Sequence, residues 1–220
     1  AAPHPFRRGY HLLKVGLKAR QVRAHERKRA NLTFVIDVSG SMAREDRLEL
    51  VKKALDLLVG QLRDEDQVGI VIYGTNGRVL LEPRSVKRPA DRLQIQLAIA
   101  HLAPEGATNA NEGLRLGYDM ARRSYRTGAN NRIVLCADGV ANVGLTGAES
   151  ILQDVRKQAD RGIHLTTVGF GMGNYNDVLM EQLADKGDGN YYYVDEISEA
   201  RRVFVENLTG TMQTIAKDAK

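Results

Sequence analysis

Leu32-Thr33-Phe34-Val35-Ile36-Asp37-Val38-Ser39-Gly40-Ser41-Met42 joins two patterns in eleven residues. The first half is a continuous apolar run, as a strand covered on both faces requires. The second half sets one carboxylate and two hydroxyls at alternate positions, where the chain leaves the strand and turns. Hard oxygen donors in this spacing suit a small divalent cation. Mg²⁺ in particular is held through a few protein oxygens while it keeps waters or takes an oxygen from another molecule. The stretch reads as the end of a central strand that carries a docking site rather than a catalytic one.

Outward from this strand the pattern is regular. Leu48, Val51, Leu55, Leu58 and Leu62 predict a helix over 46–62. Val68 to Tyr73 reads as a second buried strand, Gly74-Thr75-Asn76-Gly77 as a turn, and Arg78 to Glu82 as a third strand. So short a connection permits only a hairpin, so the third strand should be antiparallel. Helices are predicted over 90–102, 111–125, 148–161 and 177–184, with strands over 133–137, 163–168 and 191–194. A final helix is expected from 198 to about Lys217. Strands alternating with helices imply right-handed crossovers. The expected fold is α/β: a doubly wound, Rossmann-like, mostly parallel six-stranded sheet with one short antiparallel strand and helices on both faces.

Residues 31–220 account for this domain, and residues 1–30 read differently. Leu13, Val15, Leu17 and Ala19 alternate with Lys14, Gly16 and Lys18, the period of a half-exposed strand. A charged connector follows. The expectation is a basic strand and linker that end an upstream module. The start at Ala1-Ala2-Pro3, without an initiator Met, reads as a fragment or a processed product.

Bulk composition narrows the function classes. The net charge is +5, but residues 1–30 carry nine Lys/Arg against Glu26 alone, so the remainder is mildly acidic. Phe6 and Tyr10 flank Arg7-Arg8, but no Phe, Tyr or Trp interleaves with the basic residues from Lys14 to Arg29, which favours a solvated arm over a nucleic-acid surface. No apolar run reaches the ~18 residues needed to span a bilayer. Cys136 is the sole cysteine and sits inside Ile133-Val134-Leu135-Cys136-Ala137, so it reads as a buried hydrophobe. Disulfide frameworks and multi-cysteine zinc sites are excluded.

In a doubly wound sheet, ligands bind beyond the carboxyl ends of the strands, where the strand order reverses. Three loops at that edge carry polar clusters: Asp37-Val38-Ser39-Gly40-Ser41, Gly106-Ala107-Thr108-Asn109 and Ala137-Asp138-Gly139. Asp37 and Asp138, ending neighbouring strands, should repel each other unless a cation lies between them. Ser39, Ser41 and Asn109 taken singly are ordinary helix caps and turn formers; the three clusters together outweigh that reading.

On these residues the chain resembles a von Willebrand factor type A domain. The family's metal-ion-dependent adhesion site consists of Asp-x-Ser-x-Ser, a Thr and an Asp from three loops. The resemblance implies Asp37, Ser39 and Ser41 for the first element, Thr108 for the second and Asp138 for the third. It implies a bound Mg²⁺, with Mn²⁺ or Ca²⁺ as alternatives, and a coordination position left for the carboxylate of a partner protein. Ala137-Asp138-Gly139-Val140-Ala141-Asn142-Val143-Gly144, Gly171-Met172-Gly173-Asn174-Tyr175-Asn176-Asp177 and Gly187-Asp188-Gly189-Asn190-Tyr191-Tyr192-Tyr193 resemble a bacterial, envelope-associated subgroup, in which further β-rich segments flank the domain. That likeness implies an extracytoplasmic protein of the envelope or periplasm and a role in adhesion or assembly. The loops 140–146 and 171–176 would frame the partner surface.

Two carboxylates roughly neutralise a divalent cation, and the hydroxyls add no charge. The metal then keeps its attraction for an incoming Asp or Glu. A cytosolic assembly or chaperone factor for a metalloenzyme or ATPase complex would use the same site and is the first alternative. A hydrolase is the second, but it lacks support. There is no Gly-x-Ser-x-Gly elbow, no His-Glu-x-x-His, and none of the five histidines falls in the three loops. Gly169-Phe170-Gly171-Met172-Gly173-Asn174 imitates a dinucleotide fingerprint, yet follows the fifth strand rather than the first. It reads better as a tight turn with positive-φ glycines.

Overall fold

Two units divide the chain, Ala1–Arg27 with Thr214–Lys220 and Lys28–Gln213, and the computed structural model describes residues 2–3, 9–12, 27–139, 145–171 and 177–207. Within the first unit, β1 (Ala2–Pro3) and β2 (His11–Leu12) pair as an antiparallel ribbon. The strand expected over 13–19 and the final helix beyond 207 lie outside the described residues, as do loop residues 140–144 and 172–176.

Six strands build the second unit: β3 (Ala30–Asp37), β4 (Gln67–Tyr73), β5 (Gly77–Ser85), β6 (Asn130–Ala137), β7 (Ile163–Phe170) and β8 (Tyr191–Val194). Their order is β5-β4-β3-β6-β7-β8, with every pair parallel except β4–β5. The doubly wound sheet with one antiparallel strand is therefore the observed fold. Pro83 lies in β5, at the sheet edge, where a missing N–H can be tolerated.

The apolar runs are continuous because both sheet faces are covered. Leu32, Phe34 and Ile36 of β3 point to one core, with Val134 and Cys136 of β6. Val35, Ile133, Leu135 and Ala137 point to the other. The first core is closed by α1 (Arg47–Gln61), α2 (Pro89–Ala100) and α6 (Ile197–Arg201), which runs on into a π turn over Arg202–Asn207. Leu48, Val51, Leu55 and Leu58 form the inward stripe of α1. The second core is closed by α3 (Ala110–Arg123), α4 (Leu145–Asp160) and α5 (Asp177–Lys186). Each fully buried Leu, Ile or Phe contributes about 1.5–3 kcal/mol to such a core. Gly113 and Gly117 let α3 close on the sheet: a Cβ at Gly113 would lie 2.4 Å from the Tyr73 ring, and one at Gly117 2.4 Å from Val35.

The helix predicted over 46–62 is α1, Arg47–Gln61, and one element ahead of it is not predicted. Gly40–Asp46 winds as a 3₁₀ helix, and Asp46 in the left-handed region (φ 55°) separates it from α1. The apolar spacing marks the inward stripe of α1 but carries no signal for the tighter winding ahead of it.

Candidate metal-binding site

Strand order reverses between β3 and β6, with β4 and β5 on one side and β7 and β8 on the other. The β3–β6 register pairs Ile36 with Cys136. Continuing it places Asp37 beside Ala137 and Asp138 one residue beyond, at the carboxyl edge of the two central strands.

Asp37 is fully buried. One oxygen, Oδ1, accepts the Ser39 backbone N–H at 2.7 Å. The other, Oδ2, is buried and has no well-aligned hydrogen-bond partner among the described residues. Ser39 begins the 3₁₀ helix, yet its hydroxyl caps no backbone N–H. Instead the Ser39 and Ser41 hydroxyls face each other at 3.1 Å, so neither is used as an ordinary cap. Tyr73 pairs with Asp37 across the β3–β4 register, and its fully buried hydroxyl likewise lacks a hydrogen-bond partner of good geometry among the described residues.

Thr108, half-buried, lies on the segment between α2 and α3. That segment is clamped from two sides. Glu105 N–H donates to the Val38 carbonyl at 2.5 Å, and Gly40 N–H to the Gly106 carbonyl at 3.1 Å. Across the hairpin turn, Ala107 N–H donates to Thr75 Oγ1 at 3.0 Å and Asn109 N–H to the Gly74 carbonyl at 2.9 Å. Arg78 adds a forked ion pair to Glu105. Gly106 adopts φ +64°, and a Cβ there would lie 2.0 Å from Thr75 Oγ1. Gly106→Ala is therefore expected to cost about 1–2 kcal/mol in urea unfolding, through backbone strain and the lost clamp. An unchanged midpoint would remove this account of the loop.

Asn109 turns out to be a cap: its Oδ1 accepts from Glu112 N–H at 3.3 Å at the start of α3. That side chain is accounted for by the helix it caps. Asp138 is half-buried just past β6. Its Oδ2 accepts from Arg47 Nη1 at 2.7 Å. Neither Arg47 nor Tyr73 emerges from the sequence as part of the site. Tyr73 could have been found from the parallel register, since it ends the strand beside Asp37. Arg47 has no comparable signal, being 91 residues from its partner.

Burial pushes the Asp37 carboxyl up from 3.8 to about 6, and the nearby Asp138 adds to the rise. The Ser39 hydroxyl and backbone N–H, with the neighbouring Tyr73 hydroxyl, hold it back in part. Burial also drives the Tyr73 phenol well above its ordinary value, with Asp37 and Asp138 reinforcing the effect, so it stays protonated. The polar groups at this edge are thus under-compensated by protein alone. No group of three His, Cys, Asp or Glu side chains suited to a metal occurs among the described residues. The donors here are two carboxylates and hydroxyls, which fit a hard cation and not a nitrogen- or sulfur-rich zinc cage.

The remaining candidates behave as packing. Cys136 is buried and free, and burial raises its thiol strongly. Gly171 does take a positive φ of +104°, whereas Gly169 stays within β7 with the Tyr191 and Tyr193 rings close to where its Cβ would be. Tyr191 packs into one core and Tyr192 into the other. Asn31, the start of a sequon, is buried and donates to the Ser124 carbonyl at 2.8 Å and to Asn131 Oδ1 at 2.9 Å. Of the expected partner-framing loops 140–146 and 171–176, residues 140–144 and 172–176 fall outside the described residues.

Comparison with known proteins follows the same lines. The family model for the von Willebrand factor type A domain matches residues 31–207. An uncharacterised protein of Escherichia coli strain K12, YfbK, is 41% identical over 219 residues. The match covers 100% of this chain but 38% of YfbK, so the chain spans well under half of that relative. An aerotolerance-related membrane protein from Bacteroides fragilis shares the fold with a TM-score of 0.67 at 20% identity, over 81% of this chain and 98% of that one. Proximal thread matrix protein 1 from mussel byssus, solved with zinc in its MIDAS motif, superposes with a TM-score of 0.65 at 18% identity, over 84% of this chain and 46% of that one. Domains of this family often mediate metal-dependent protein interactions. The chain belongs to the von Willebrand factor type A family.

Proposed function

We propose that Asp37, Ser39, Ser41, Thr108 and Asp138 hold a divalent cation, Mg²⁺ in the first place, and that the cation captures an Asp or Glu carboxylate from a partner protein. The observation that carries this reading is the buried Asp37 Oδ2, which has no well-aligned hydrogen-bond partner among the described residues and lies at the switch point near a second carboxylate. Asp37 and Asp138 would supply charge, Ser39 and Ser41 neutral oxygens on the 3₁₀ helix, and Thr108 an oxygen from the clamped loop. The metal would supply Lewis acidity toward the incoming carboxylate. The protein's own contribution is to hold the donors rigidly on strand ends and to exclude water from Asp37. The role is adhesion or assembly rather than catalysis, because Asp37, the carboxylate beside Ser39, would be taken up by the cation and would not be free to act as its base. An extracytoplasmic, envelope-associated setting is part of the proposal, supported by the membrane-protein neighbour of the same fold. So is the reading of residues 1–30 as the end of an upstream module, in a protein with further domains.

Calorimetric titration with Mg²⁺ and Mn²⁺ tests the site. A single saturable event, reversed by EDTA, is expected, and Thr108→Ala should weaken it about tenfold, the loss of one neutral oxygen donor. Absence of saturable binding by the parent protein would remove the metal reading. Pulldown in Mg²⁺ against EDTA tests the partner: proteins retained equally in both would contradict metal-mediated capture.

A further inference from the structure

Arg47 opens α1, and its guanidinium reaches across to Asp138 at the far side of the switch point. The pair is largely shielded, with side-chain exposures of 13% and 10%. An exposed ion pair of this kind would contribute little; this one occupies an oxygen of a carboxylate assigned to the cation. Its stem is seated in a defined slot. A Cβ on Gly171, at the end of β7, would come within 2.3 Å of Arg47 Nε and 2.8 Å of its Cδ. Gly171 is itself fixed: its N–H donates to the Val194 carbonyl at 3.1 Å, and its carbonyl accepts from the Tyr193 hydroxyl. The glycine at the end of β7 thus leaves the room that directs the guanidinium onto Asp138.

We infer that Arg47 is a third charged member of the metal site, one that competes with the divalent cation for Asp138 and sets the site's affinity. The inference rests on the metal-binding reading above. Two carboxylates and one guanidinium leave a net charge of −1 to attract the cation, where the carboxylates alone would offer −2. The loaded site then carries a surplus positive charge toward an anionic partner. Weak cation binding and strong attraction for a carboxylate follow from the same residue. Arg is suited to the task because its planar fork stays charged at every working pH and holds a carboxylate oxygen in fixed geometry.

Calorimetry with Mg²⁺ and Mn²⁺ on the parent chain, Arg47→Gln, Arg47→Lys and Arg156→Gln tests this. Arg156 is an exposed residue of α4 paired with Asp160, and serves as a control for net charge. Arg47→Gln should bind either cation about tenfold more tightly. Arg47→Lys, which keeps the charge, should stay closer to the parent, and Arg156→Gln should change by less than about twofold. In EDTA, Arg47→Gln should melt below the parent, because Asp138 then lies near Asp37 without its counter-charge; in Mg²⁺ the difference should shrink. Equal or weaker binding by Arg47→Gln, with saturable binding by the parent, overturns the role of Arg47 and leaves the metal site standing. An equal gain in Arg156→Gln overturns it as well. Absence of binding by both parent and Arg47→Gln overturns the site and this inference together.

Discussion

Asp37→Asn is expected to stabilise the metal-free protein at pH 7.5 by about 2–3 kcal/mol, a rise in melting temperature of about 5–10 °C. The direction follows from the raised carboxyl, which titrates at about 6 in the fold against 3.8 when unperturbed. A carboxyl whose folded pKa lies above its unfolded one binds its proton more tightly in the native state. Stability of the parent therefore falls as pH rises from about 4 to about 6, and the loss persists above that range. Below the unfolded pKa the group is neutral in both states, so parent and Asn variant should converge. Asn keeps an oxygen for the Ser39 N–H, and its amide can donate to the buried Tyr73 hydroxyl, which lacks a well-aligned partner among the described residues. Mg²⁺ should reverse the ranking, because a ligand that binds only the native parent adds stability in proportion to the logarithm of its concentration over Kd. Melting curves in EDTA and in excess Mg²⁺, across pH 4–8, give the comparison. An Asn variant that melts at or below the parent in EDTA at pH 7.5 would show that burial does not strain this carboxylate.

This cost is physically informative. A buried, under-bonded carboxylate at the end of a central strand has no folding rationale, since an apolar or neutral side chain would pack there at lower cost. Its presence beside Asp138 makes sense when a cation completes the set. The same logic separates Asp37 from Asn109, whose side chain is fully explained by the α3 cap.

How far the residues revealed this arrangement depends on the range of the forces involved. Strand and helix identity is local: apolar runs of five to eight residues and 3.6-residue spacing are enough to mark β3, β4, β6, β7 and α1. The parallel order places Asp37 and Asp138 at neighbouring strand ends by topology alone, and the hairpin fixes β5 as antiparallel. What stays hidden is set by long-range contact. Arg47 meets Asp138 through the three-dimensional path of α1, and Gly171 matters to Arg47 only because β7 ends beneath it. The 3₁₀ helix at Gly40–Asp46 is likewise invisible, since the apolar spacing that marks α1 begins only at Leu48. The clamp on the Thr108 loop joins backbone groups of separate segments with the Thr75 hydroxyl and the Arg78–Glu105 ion pair, partners 32 and 27 residues apart that no local pattern links.

Asp66 illustrates the same hidden class at the opposite sheet edge, and substituting it should have the largest effect on stability. Its fully buried carboxylate accepts the Ala30 N–H at 2.7 Å through Oδ1 and the Arg63 N–H at 2.8 Å through Oδ2. Its own carbonyl accepts from Val86 N–H at 3.2 Å. One residue thus ties the start of β3, the end of the α1–β4 connection and the segment after β5. Asp66→Ala strands two backbone donors and is expected to cost about 3–5 kcal/mol, since hydrogen bonds to a charged acceptor contribute about 1.5–3 kcal/mol each. Asp66→Asn keeps one acceptor but turns an amide donor toward the other N–H, so about half that loss is expected. Seven residue steps along β3 lead from Ala30 to Asp37, about 23 Å at the rise of a strand. Urea unfolding should therefore show the loss while the Mg²⁺ dissociation constant stays unchanged, because substitutions this far apart with no shared partner act independently. A cation affinity that falls together with the unfolding free energy would instead mean that the site is assembled by the stability of the whole sheet, and that the strand ends are not the rigid support assigned to them.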